Sequence, residues 1–189
     1  MFNSNDFKVF DDPTLEGRLK KIREIIDPKF EIIGEELIKK YQPQFDEQLY
    51  VHVAKHARRH KNPPPDTWFA ISTNKRGYKA LPHIEIGLWP ESFYLNLSFL
   101  AEIDDRQLVV DKLKTLKLYN EKLQISNDHT TSAMNELTEE SLQHSLDKYL
   151  RTKNKDLVIG FRYSKDSFNY QTMEKDYSII FDIFSEYNI

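Results

Sequence analysis

"HIEIGLWPESFYLNLSF", residues 83–99, is the stretch that decides the fold. Ile84, Ile86 and Leu88 alternate with His83, Glu85 and Gly87, and Phe93, Leu95, Leu97 and Phe99 alternate with Tyr94, Asn96 and Ser98. Strand side chains point to opposite faces in turn, so a period of two marks each run as a strand. "WPES" between them reads as a turn, with Pro90 where its fixed φ is favoured. Folding there sets Leu88 opposite Phe93, Ile86 opposite Leu95 and Ile84 opposite Leu97. The polar residues match in the same register: Gly87 with Tyr94, Glu85 with Asn96, His83 with Ser98. A slip of one residue would turn every apolar side chain to the wrong face, so the agreement of both faces fixes the pairing.

Around this hairpin, "DTWFAIST" (66–73) is rich in β-branched and aromatic residues and reads as a strand. "KLQIS" and "DLVIGFRY" are further strand candidates. In the latter, Arg162 alternates away from Leu157, Ile159 and Phe161 and belongs with the polar hairpin face. Helices flank the strands. Asp12-Pro13 opens the first, striped by Leu15, Leu19, Ile22 and Ile26. Asp27-Pro28 ends it and opens a second, striped by Phe30, Ile33, Leu37 and Tyr41. A helix over 105–119 turns Val109, Leu113 and Leu116 inward. Thr138 reads as an N-cap with Leu137 and Leu142 as a hydrophobic staple. Met173, Tyr177, Ile180 and Phe184 suit a closing helix. Strands in a block between helices imply an α+β fold, a central and largely antiparallel sheet with helices packed on it. At 189 residues the whole chain, 1–189, reads as one domain.

Aromatic residues make up 13% and charged residues 30%, enough for a core and a polar surface. No cysteine is present, so thiolate chemistry and disulfides are excluded, and a reducing compartment is suited. The first residues lack a signal-peptide pattern, and no apolar run approaches the ~18 residues of a membrane span. The expectation is a cytoplasmic protein with no membrane association. Oligomeric state is not legible.

Charge is uneven. Residues 51–61, "VHVAKHARRHK", hold four cations and three histidines. The window 50–83 carries a local net charge of +6 on a chain of net −3. Such a field attracts small anions while the remainder repels polyanions. Three readings follow. His52 and His56 have H-x-x-x-H spacing, which brings two imidazoles to one ion on a helix but leaves them about 13 Å apart on a strand. "LYVHV" favours a strand, the glutamate of the zinc-protease motif is missing, and the nearby cations oppose a metal, so none is expected. An anion site suits Arg58, Arg59, Lys75 and Arg76, because guanidinium presents a fork of donors matched to phosphate or carboxylate. "TNKRGYK" sets the last two beside Gly77, whose freedom lets backbone N–H groups approach a ligand. Nucleic acid is the third reading, since Trp68, Phe69 and Tyr78 could stack on bases, but the acidic remainder disfavours it.

Further candidates share the polar hairpin face or lie beyond it. Tyr78, Glu85, Asn96 and Arg162 are candidate ligand contacts, as is Asp128 beside His129. His52, His56, His83 and His129 are the candidate proton-transferring groups. In a strand, Arg58 shares the face of His52 and His56, whereas Arg59 points with Lys55. No P-loop, dinucleotide glycine pattern or hydrolase nucleophile motif is present, and no cofactor is called for.

At "HVAKHARR", "NPPPDTW", "TNKRGYK", "PHIEIGLW" and "DH" the chain resembles the YktB-like family of uncharacterised proteins, found mainly in Gram-positive bacteria. The resemblance covers most of the chain and is densest over residues 50–89. It implies a cytoplasmic α+β domain and brings no activity, cofactor or catalytic residue. It marks His52, Lys55, His56, Arg58, Arg59, Asn62, Pro63, Pro64, Asp66, Trp68, Asn74, Lys75, Arg76, Gly77, Tyr78, His83, Asp128 and His129. After Asp128-His129 the family continues with a Lys-Pro-Asp-like run where this chain has Thr130-Thr131-Ser132. The functional expectation is a basic, histidine-containing pocket for a small anionic ligand. The alternative is an interaction module whose basic face docks an acidic protein or RNA.

Overall fold

A computed structural model of the chain describes residues 2–187 except 117, 119, 168 and 170–172. Seven strands form one antiparallel sheet: β1 (Tyr50–Val53), β2 (Thr67–Ser72), β3 (His83–Trp89), β4 (Ser92–Phe99), β5 (Gln124–Ser126), β6 (Asn135–Glu136) and β7 (Leu157–Ser164). Their order is β1-β2-β3-β4-β7-β5-β6. The hairpin pairs in the register read from its pattern, from His83 with Ser98 to Leu88 with Phe93, and Trp89 pairs with Ser92 across a two-residue turn. β7 lies antiparallel to β4, so Arg162 stands opposite Tyr94 and Gly160 opposite Asn96.

Five α-helices accompany the sheet among the described residues: α1 (Leu15–Lys21), α2 (Asp27–Tyr41), α3 (Arg106–Thr115), α4 (Glu139–Arg151) and α5 (Glu174–Ser185). Their apolar side chains join those of one sheet face in a single cluster. Phe69, Ile71, Ile84, Ile86, Leu95, Leu97 and Ile159 are fully buried there. The Phe30 ring of α2 meets Phe69 at 5.1 Å. Gly34 brings α2 close, because a Cβ there would lie 2.7 Å from Val51. On the other side of the core Tyr41 stacks on Phe181 of α5 at 4.0 Å. No described helix is long and apolar enough to cross a membrane.

Local readings hold with corrections. Thr138 caps α4, its Oγ1 accepting from the Ser141 N–H. Thr14, not Asp12, caps α1; Asp12 instead accepts from the Thr14 N–H and hydroxyl. Asp27-Pro28 does not break the helix. The wide turn Ile22–Ile26 carries the chain straight into α2, with the Asp27 N–H donating five residues back to Ile22. That turn absorbs the donor missing at Pro28. Before α1, a 3-10 helix (Ser4–Asp11) buries Phe7, Val9 and Phe10, an element the periodicity does not announce. α3 ends at Thr115 rather than 119, because Leu116 turns extended; residues 117 and 119 lie outside the described residues.

Candidate functional site

The second face of the sheet carries Trp68, Ala70 and Ser72 on β2, His83, Glu85 and Gly87 on β3, Tyr94, Asn96 and Ser98 on β4, and Gly160 and Arg162 on β7. Its centre is buried although polar: Glu85 and Asn96 are each 4% exposed. Tyr78, from the loop between β2 and β3, lies over it. The Trp68 Nε1–H donates to the Tyr78 hydroxyl at 3.1 Å, and the Tyr78 ring packs on His83 at 4.7 Å. Two glycines keep the floor low. A Cβ on Gly87 would lie 2.6 Å from the Tyr94 ring, and one on Gly160 would lie 2.5 Å from the Asn96 carbonyl oxygen. Each residue therefore lets its cross-strand neighbour fold flat over the sheet.

Glu85 is the buried hub. Its carboxylate accepts from the Ser98 hydroxyl at 3.1 Å and lies 3.3 Å from His83 Nε2, whose other nitrogen meets the Leu81 carbonyl. Burial pushes the Glu85 pKa up, but His83, the charge of His129 and Ser98 outweigh it and leave it below the ordinary value. His83 is thus sealed into internal bonds and offers no free nitrogen to a ligand.

Beside this hub, three polar tips lack the partners that buried groups normally have. Arg162 donates from Nη1 to Asn96 at 2.6 Å and to its neighbouring carbonyl, and stacks on the Tyr94 ring with its guanidinium carbon 5.0 Å from the centroid. Its Nε is sealed from solvent without any partner. No carboxylate stands within ion-pair distance of it among the described residues. Burial draws its pKa down to about 10, opposed by Tyr94, Glu85 and Asp66. Asp66, just before β2, is 8% exposed and its carboxyl bonds only to its own backbone N–H. Burial, aided by Glu85, pushes its pKa up to about 7, against the pull of Arg59 and His129. The Tyr94 hydroxyl has no hydrogen-bond partner among the described residues; burial first, then Asp66 and Glu85, raise its pKa well above the usual value.

His129 lies at the margin of this face. Its Nδ1 is 2.6 Å from Asp156, which also accepts from the Ala101 N–H. Burial lowers its pKa, but Asp156 and the nearby Glu85 more than compensate, so the imidazole holds its proton more tightly than usual. The adjacent Asp128 is not its partner: that carboxylate accepts from Thr130.

The basic segment is a strand through Val53, as "LYVHV" indicates, and neither strand nor helix over residues 54–61. β1 ends at Val53, and His56 takes a left-handed conformation (φ 49°) that turns the chain out of the sheet. Arg58, His52 and His56 therefore do not share a strand face. His52 Nε2 lies near the Asn74 carbonyl and the Ser72 hydroxyl, His56 Nε2 at Thr67 Oγ1, so the two imidazoles serve different neighbours. Burial lowers the pKa of both, that of His56 to about 4. Arg58 and Arg76 are exposed and contact neither His83 nor each other in any recorded bond. The cations that reach the polar face are Arg59, felt by Asp66, and Lys79, felt by His129. Lys75 lines a separate depression of about 370 Å³ with Tyr50, Asn74 and Tyr187. Asp128 lines another of about 340 Å³ with Lys148 and Lys155. Of the candidates, Tyr78, Glu85, Asn96 and Arg162 come together on one face. Asp66, Tyr94 and Asp156 join them from outside the candidate set. Only the alternation of "FYLNLSF" placed Tyr94 on that face.

Residues 2–188 match the model of a family described as Domain of unknown function (DUF1054). The chain is 40% identical to a UPF0637 protein of Lactiplantibacillus plantarum over 164 residues, 85% of this chain and 79% of that one. It is 38% identical to a UPF0637 protein of Bacillus thuringiensis, covering 92% and 88% of the two chains. A solved structure, a conserved hypothetical protein from Pyrococcus furiosus, covers 89% of this chain and 98% of its own, at 14% identity and a TM-score of 0.40; a likeness of that degree carries nothing over. The chain belongs to the DUF1054 family, in keeping with its YktB-like motifs.

Proposed function

We propose that the polar face of the sheet binds a small anionic molecule, one bearing a phosphate or carboxylate, with Arg162 as its anchor. The observation that carries this reading is the guanidinium itself. It is half-buried, oriented by Asn96 and Tyr94, and left with a sealed, unpartnered Nε and no carboxylate in bonding distance among the described residues. A buried donor without a partner costs roughly 1–3 kcal/mol, and a shift of the Arg162 side chain that opens the sealed Nε lets an oxyanion supply the missing acceptor. Arg59 and Lys79 add positive potential at the margin, and Tyr94 offers a neutral hydroxyl.

Thermal shift against inorganic phosphate, phosphorylated metabolites and small carboxylic acids tests it. A ligand at a hundred times its Kd stabilises by about 2.7 kcal/mol, or roughly 5–10 °C for a chain of this size. Arg162→Met abolishes that shift; Arg58→Ala/Arg76→Ala leaves most of it. No shift with any anion, or an equal shift in Arg162→Met, contradicts the reading.

One observation favours a second reading. Lys55, Arg58, Lys61, Lys75 and Arg76 are exposed and form no ion pair among the described residues. A basic rim of this kind docks an acidic protein or RNA through charge, and such a complex dissociates as salt is raised from 50 to 500 mM in a pull-down.

A further inference from the structure

The site holds a half-buried guanidinium, Arg162, and a buried carboxyl, Asp66, that are not paired with each other. Asp66 leads into β2 and Arg162 stands on β7, with β3 and β4 between them. Adjacent strands lie about 4.8 Å apart, so the two backbones are separated by roughly 14 Å. The intervening space is bridged by Tyr94, which folds over Gly87 toward β2 and receives the Arg162 guanidinium on its ring. Charge at one end and opposite charge at the other, with a hydroxyl between, is the complement of a molecule that itself carries both signs.

Glu85 is already supplied by Ser98 and His83 and flanked by His129. Asp66 is the carboxyl whose sole donor is its own backbone N–H, which leaves acceptor capacity unused. It lies two residues from Trp68, and Tyr78 and Tyr94 are within its electrostatic reach. Aromatic faces around a carboxyl are the usual surroundings of an ammonium, which gains attraction from the rings as well as from the charge.

We infer that the ligand is amphoteric: its phosphate or carboxylate lies on Arg162, and an amine at its other end is received by Asp66 among Trp68, Tyr78 and Tyr94. This rests on the anion reading above and narrows it to amino acids and aminoalkyl phosphates. An ammonium ionises Asp66, because the added positive charge offsets the burial that keeps the carboxyl protonated.

Calorimetric titration with three matched sets tests it: β-alanine, propionate and propylamine; 4-aminobutyrate, butyrate and butylamine; 2-aminoethyl phosphate, ethyl phosphate and ethylamine. In at least one set the amphoteric member binds about tenfold tighter than both partners. Asp66→Asn removes that preference. Arg162→Met weakens the amphoteric and anionic members together. If the plain anions bind wild type as tightly as their amino counterparts, the amphoteric inference is overturned and the anion reading stands. If amines bind and anions do not, or if no member of any set binds, both are overturned. The wild-type comparison decides even where a variant does not fold.

Discussion

The two faces of the sheet are equally buried at their centres and differ in the chemistry of what they bury. On the helix side Phe69, Ile86 and Leu95 have no exposure and no polar atoms to place. On the loop side Glu85, Asn96 and Ser98 are nearly as enclosed, yet among the described residues an Arg162 nitrogen and the Tyr94 hydroxyl beside them have no hydrogen-bond partner and the Asp66 carboxyl has only its own backbone N–H. Burial of apolar area stabilises, whereas burial of an unpartnered polar group opposes folding. The first face accounts for why the chain folds.

Substitutions on each face separate these roles. The largest effect belongs to the helix side: Phe69→Ala removes a fully buried ring between α2 and the sheet and destabilises by about 3–5 kcal/mol in guanidinium unfolding. Gly160→Ala comes next, at about 1–3 kcal/mol, because its Cβ would meet the Leu95 carbonyl oxygen and push Asn96 off the floor. Asp156→Asn acts through His129. The folded pKa of His129 is raised, so its contribution is present below about 6.5 and lost as pH rises through the folded value. NMR titration of the imidazole shows a midpoint above 6.5 in wild type. In the variant it falls below 6.5, because burial then dominates, and the stability loss is larger at pH 6 than at pH 9. The smallest effect is at the rim, where Arg58→Ala/Arg76→Ala changes stability by no more than about 0.5 kcal/mol.

Sequence legibility follows the range of the interactions. Hairpin register was readable to the residue, because a period of two on both strands admits one pairing. Arg162 was placed on the polar face by the same alternation. The Thr138 cap was readable because its partners lie within four residues. What escaped depends on contacts distant in the chain. Asp156 meets His129 from 27 residues away, whereas the adjacent Asp128 accepts from Thr130. Tyr78 covers the sheet through a loop whose course no periodicity encodes. Of the cationic runs, Arg59 and Lys79 bear on the charged groups of the face, whereas no hydrogen bond or ion pair joins Arg58 or Arg76 to it among the described residues. The left-handed turn at His56 undid the face assignment of everything after it.

Asp66 offers the most direct test that the polar face is kept for something other than stability. Its folded pKa, about 7, lies above its ordinary value of 3.8. The folded state therefore holds a proton that the unfolded chain has released, and this contribution is complete below about 4 and lost as pH rises through about 7. Guanidinium unfolding of wild type and Asp66→Asn at pH 4 and pH 8 measures it. The account predicts nearly equal stabilities at pH 4 and a variant more stable by about 2–4 kcal/mol at pH 8. A variant less stable than wild type at pH 8 would make Asp66 a structural residue and contradict the account.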